Sequence, residues 1–165
     1  MIDAVIDAPF GRVVLSARDG TPVAPSERAE ALAKDMPRGM RLDHCLVAGL
    51  KIGFGTGEPV EAELSCALAH GMEAFAGNGE GLAAWTIESP DLAGAFAIRE
   101  LDWLERTHSL EVVSYANAKA GLRVRLRAAT PRVVTLGFAA AWTHDPASEA
   151  DELAPWFAVD RVLPF

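Results

Sequence analysis

The segment 122–127 alternates strictly between an apolar residue and an arginine. Successive side chains of a β-strand point to opposite faces, so Leu122, Val124 and Leu126 would face a core. The arginines Arg123, Arg125 and Arg127 would then project from the other face. The segment therefore predicts one half-buried β-strand.

The same strand predicts a partner along the chain. A three-residue loop at 129–131 would join it to a second strand at 133–142. In that register Leu126 lies opposite Val134, and the apolar rows of both strands share one face. A two-residue loop would set arginines against apolar residues, because a slip of one residue turns every side chain to the opposite face. The three-residue loop is therefore the predicted connection.

Composition and charge narrow the class of protein. Half of the 165 residues are hydrophobic, which is typical of a globular domain, and the length suits a single domain spanning 1–165. The formal net charge is −8, so broad attraction to nucleic acid or to anionic membranes is not expected. The first seven residues include acidic residues, whereas a secretory signal begins with basic residues. We expect a cytoplasmic protein, and the abundance of Ala, Arg and Gly is typical of bacteria with GC-rich genomes.

Local patterns predict an α+β fold with a largely antiparallel sheet and two or three helices packed on one face. The sheet would combine an N-terminal hairpin with a C-terminal meander. Residues 144–155 would form an exposed acidic loop. The predicted helices span 26–35, 60–75 and 90–106, and the predicted strands span 2–6, 12–17, 44–52, 82–87, 110–116, 121–128, 133–142 and 156–163.

A candidate catalytic cluster follows from the predicted helix at 60–75. Cys66 and His70 lie four residues apart and would share a helix face, near His44 and Cys45 of the preceding strand. Such residues could provide a nucleophile and a base, or nitrogen and sulfur ligands for zinc. Their spacing matches no standard zinc module, and cysteine is among the most buried residue types. We therefore take Cys66, His70 and His44 as candidate catalytic residues, predict no metal, and leave the cofactor unknown.

The arginine row is the candidate substrate site. Guanidinium groups match the geometry of carboxylates and phosphates, so Arg123, Arg125 and Arg127 could bind an anionic substrate. The alternative is a solvated face whose arginines pair with Asp and Glu, which outnumber Lys and Arg by 23 to 15. Glycines at 53, 55 and 57 resemble a phosphate loop only weakly, because nearby glutamates would repel phosphate.

Two functions remain as expectations. The first is a domain that binds a small molecule between the sheet and the helix carrying Cys66 and His70, with catalysis left open. The second is a non-catalytic interaction or assembly subunit, for which a homo-oligomer is one expected form. The apolar C-terminal residues 162–165 would pack within such an assembly.

Overall fold

The computed structural model describes residues 1–55, 57–79, 82–99, 110–118 and 120–163. In these segments it contains eleven β-strands and two α-helices. The strands are β1 (Ile2–Ala8), β2 (Gly11–Ala17), β3 (Thr21–Glu27), β4 (His44–Phe54), β5 (Val60–Leu68), β6 (Glu73–Gly79), β7 (Leu82–Ser89), β8 (Leu92–Arg99), β9 (Leu110–Ala118), β10 (Gly121–Ala128) and β11 (Arg132–His144). The helices are α1 (Ala29–Leu32) and α2 (Glu149–Val162).

The strands form two antiparallel sheets. The first has the order β1-β2-β5-β10-β9, and the second has the order β3-β4-β11-β8-β7-β6. Buried residues of both sheets belong to one apolar cluster, so the sheets face each other across a shared core. The prediction of a largely antiparallel sheet is confirmed. Among the described residues no helix has both the length and the apolar character needed to cross a bilayer.

The core explains the alternation at 122–127. Leu122, Val124 and Leu126 of β10 are buried between the sheets, whereas Arg123 and Arg125 are exposed on the outer face. At one end of the core, the buried Phe10 projects from the turn between β1 and β2. Its ring centroid lies 6.2 Å from that of Phe96 and 6.4 Å from that of Trp142. The hairpin turn therefore closes the core with an aromatic side chain.

The outer face of the second sheet holds helix α2 against a surface of small side chains. A second buried cluster joins the helix to this face. The helix contributes Ala158 and Val159 to it. Ala154 and Pro155, one turn earlier, are also buried, so these residues repeat at helical spacing on one side of α2. The sheet contributes alanines from three adjacent strands together with two residues of β4: Ala84, Ala95, Ala97, Ala139, Ala141, Cys45 and Val47.

A buried carboxylate fixes the start of α2. Ser148 caps the helix by accepting a hydrogen bond from the backbone N–H of Asp151. The Asp151 carboxylate, 7% exposed, accepts hydrogen bonds from the backbone N–H groups of Arg41 and Ala147, each at 3.0 Å. The Arg41 guanidinium donates to the carbonyl of Asp145 and lies 3.9 Å from Asp151 Oδ2. These contacts attach the helix to the segment that precedes β4.

The predicted pairing of residues 121–128 with residues 133–142 is wrong. β10 pairs with β5 and β9, whereas β11 pairs with β4 and β8 in the other sheet. The loop at 129–131 lies where the sequence predicts it, but it crosses from one sheet to the other. Two strands in opposite sheets of a sandwich alternate between apolar and polar residues just as two paired strands of one sheet do. The sequence pattern therefore fits both arrangements.

Three predicted helices and one predicted strand also differ from the structure. Residues 60–75 form β5 and the start of β6, and residues 92–99 form β8, while 100–106 lie outside the described residues. Residues 21–27 form β3, so only the short α1 remains of the helix expected at 26–35. Residues 156–162, expected as a strand, belong to α2, which also replaces most of the expected loop at 144–155. The other predicted strands, including both strands of the N-terminal hairpin, are confirmed.

Candidate functional site

The structure separates the candidate catalytic residues into different environments. Cys66 lies on strand β5 with its side chain in the core between the sheets, while His70 lies in the turn after that strand and is exposed. His44 is exposed at the start of β4, where its Nδ1 lies 3.4 Å from Glu27 Oε2 and its ring packs against that of Trp142 at an angle of 40°. The helix face that was expected to bring Cys66 and His70 together does not exist. Their catalytic role stays a prediction without that support.

Both thiols lie in surroundings that disfavour the thiolate. Burial raises the pKa of Cys45 to about 12, with the nearby charge of Glu27 adding to the effect. Burial also raises the pKa of Cys66 to about 11. Nucleophilic and metal-binding cysteines react as thiolates, so neither residue is activated in this state. Within the described part of the chain, no cluster of three His, Cys, Asp or Glu residues is arranged to hold a metal ion.

Two arginines of the predicted substrate row are engaged by glutamates. Arg123 Nη2 lies 3.0 Å from Glu63 Oε2, and Arg127 Nε lies 3.2 Å from Glu111 Oε2. The hydrogen bond and charge of Glu63 raise the pKa of Arg123. Arg125 makes no ion pair with any described residue, since its cross-strand neighbour Glu61 leans towards Arg123. A substrate role for the row stays a prediction, and Arg125 is the member whose guanidinium group pairs with none of the described carboxylates.

Arg125 lines an open groove, which we call the arginine groove. This arginine groove, about 880 Å³, lies at the end of the sandwich and is also lined by Arg18, Asp19, Glu58 and Glu61. Two cationic and three anionic side chains share its walls. The described lining thus carries charges of both signs, and neither sign selects the charge of a ligand.

The second groove lies between α2 and the outer face of β7 and β8, and we call it the helix groove. Its volume is about 800 Å³. One stripe of the helix faces it, because residues spaced by three, four and seven positions share a helix face. The stripe consists of Glu149, Glu152, Leu153 and Trp156.

The helix groove combines an exposed apolar surface with carboxylates that form no ion pair within the described residues. Leu153 is 55% exposed, although the neighbouring Ala154 is fully buried. Trp156 packs directly over the sheet, since a Cβ atom at Gly77 would lie only 2.6 Å from its Cζ3 atom. The sheet adds Glu88 to the wall, and the described lining residues include no Lys, Arg or His. The groove thus offers apolar contact beside negative charge.

Sequence reasoning missed this groove because it predicted a strand in place of the second half of α2 and a helix in place of β8. A signal for the helix was present: Ser148 followed three residues later by Asp151 is a capping pattern that precedes the apolar residues of α2. The sequence does predict strand β7 at 82–87, but no signal places it beside β8 and beneath α2. No protein-family model, curated protein or solved structure matches the chain.

Proposed function

We propose that the protein is a binding domain that holds a small organic molecule in the helix groove. The observation that carries the proposal is the exposure of Leu153 beside Trp156 in a concave site of about 800 Å³. Binding sites for small molecules are typically concave, with apolar and aromatic walls and a few polar groups. An apolar ligand surface would cover Leu153 and remove it from water, which stabilises the complex.

The groove favours binding over catalysis. The described lining residues provide carboxylates and the hydroxyls of Thr86 and Ser89, with no cysteine or histidine beside them. Nucleophilic catalysis would need a base within hydrogen-bonding distance of a hydroxyl or thiol. The residues present suit the recognition and orientation of a ligand.

A family of three probes tests the proposal. Phenylbutylamine, phenylbutanol and phenylbutanoate share one apolar body and differ only in the charge of the terminal group. Each is titrated into the labelled protein while backbone amide signals are followed by heteronuclear correlation NMR. We expect at least one probe to shift the signals of β7 and α2 along a saturable curve.

Matched variants locate the binding. Leu153→Gln removes apolar surface from the groove and should weaken the bound probe several-fold. Val133→Gln alters another exposed apolar residue, 66% exposed and remote from the groove lining, and should leave the affinity unchanged. Saturable shifts that survive Leu153→Gln undiminished, or no saturable shift with any of the three probes, would overturn the proposal.

A further inference from the structure

We infer that the ligand of the helix groove is an organic cation with an apolar body. This inference rests on the proposed function, because it assigns the charge of the molecule that the groove binds. The apolar part would lie against Leu153 and Trp156, and the cationic group would lie among Glu88, Glu149 and Glu152.

The sheet supplies carboxylates that do not stabilise the fold. Glu88 of β7 is the direct cross-strand neighbour of Glu73 of β6, and both side chains are exposed. Like charges directly opposite each other on neighbouring strands are destabilising. Neither carboxylate forms an ion pair within the described residues. A cation bound beside Glu88 would relieve this repulsion.

The helix adds two more carboxylates to the same groove. Glu149 and Glu152 lie in the first turn of α2, where acidic residues also stabilise the helix dipole. That role explains their place in the sequence, but it does not explain Glu88, which approaches the groove from the sheet. Three carboxylates from two elements therefore converge on a space whose described lining has no compensating base.

The arrangement suits an organic cation better than a metal ion. A metal ion needs several ligand atoms at bonding distance, and the described carboxylates form no such cluster. The three carboxylates instead line a groove that also contains an indole ring. Aromatic rings attract ammonium and guanidinium groups, so Trp156 adds to the attraction of the carboxylates. Charge and apolar surface thus select an alkyl or aryl ammonium ion.

The three phenylbutyl probes separate this inference from the proposed function. We expect phenylbutylamine to bind about tenfold more tightly than phenylbutanol, a difference of about 1.4 kcal/mol. Phenylbutanoate should bind most weakly. Raising the salt concentration should reduce the advantage of the amine, because exposed charges are screened.

Substitution of one sheet carboxylate provides the decisive control. Glu88→Gln should weaken the amine about threefold and leave the alcohol unchanged, since an exposed carboxylate contributes modestly to an ion pair. Glu58→Gln makes the same charge change in the arginine groove and should alter neither affinity. Equal affinity for amine and alcohol, or an amine preference that Glu88→Gln leaves intact, would overturn the inference while the proposed function stands. Absence of binding by all three probes would overturn both.

Discussion

Removal of the Asp151 carboxylate should detach the start of α2 from the segment before β4. The Asp151→Ala variant leaves the backbone N–H groups of Arg41 and Ala147 without their acceptor. Each buried donor without a partner costs about 1–3 kcal/mol. Because both of these residues are exposed, water can reach their amides in part. We therefore expect a loss of about 2–4 kcal/mol in the free energy of unfolding, at the lower end of two full penalties.

Asp151→Asn provides an intermediate case. An amide has the same shape as the carboxylate, but it offers one acceptor oxygen and one donating nitrogen. One of the two backbone N–H groups would keep its partner, while the other would face the donating amide nitrogen. The expected loss is about half that of Asp151→Ala, or about 1–2 kcal/mol.

Urea unfolding followed by tryptophan fluorescence measures these differences. The dependence of the free energy on urea should stay unchanged, so that the midpoint alone reports the loss. Asp35→Ala is the matched control, because Asp35 is exposed and should shift stability by less than about 0.5 kcal/mol.

The opposite outcome has a definite physical meaning. Burying a carboxylate is costly, and its removal can be neutral or stabilising where hydrogen bonds repay that cost poorly. An Asp151→Ala variant as stable as Asp35→Ala would refute the reasoning that Asp151 anchors α2.

Three further outcomes follow from the same structure. Gly77→Ala places a Cβ atom 2.6 Å from the Trp156 ring, so it should displace the indole, shift tryptophan emission and lower the free energy of unfolding by about 1 kcal/mol. Gly53→Ala, whose Cβ atom meets no atom within 4 Å, should have none of these effects. Cys45 and Cys66 should react with iodoacetamide far more slowly in the native protein than in urea, because burial raises both pKa values; rates that match those in urea would contradict this. The unfolded thiol of Cys45 loses its proton near pH 9 and the native one near pH 12, so stability should fall as pH rises through that window. Cys45→Ala should reduce this loss of stability with rising pH, and an unchanged pH dependence would contradict its attribution to Cys45.

Alternation of residue types predicts a strand well but does not identify its neighbours. Leu122, Val124 and Leu126 are buried as the sequence predicts, because the period of two is a property of the strand itself. Pairing depends on which strands meet in space, and the apolar rows on β10 and β11 lie in different sheets that share one core rather than side by side in one sheet. A sequence pattern alone carries no information that separates these two cases.

Strand β5 shows how sheet pairing overrides local helix preference. Alanine, glutamate and leucine are good helix formers, and several apolar residues at 60–75 recur at helical spacing. The structure instead buries Ala62, Leu64 and Cys66 and leaves Glu63 and Ser65, which alternate with them, half-buried on the other face. Glu63 lies directly opposite Arg123 of β10. Cross-strand pairs of opposite charge stabilise such a sheet, and they are invisible until the partner strand is known.

The candidate site was beyond sequence reasoning for a similar reason. The helix groove needs α2 and three strands in their spatial order, and the expected strand at 156–163 removed the helix from consideration. A proline such as Pro155 usually interrupts a helix. In the structure Pro155 lies buried within α2, and the helix continues past it to Val162.

The alanine surface beneath α2 acts as a spacer that sets how wide the helix groove is. The methyl side chains of Ala95 and Ala139 fix how closely the helix approaches the sheet, and neither residue lines the groove. A valine at either position would lift the helix and widen the gap that Leu153 and Glu88 border. The dimensions available to a ligand are thus governed by residues that the ligand never touches, and a binding preference could change through substitutions hidden inside the protein.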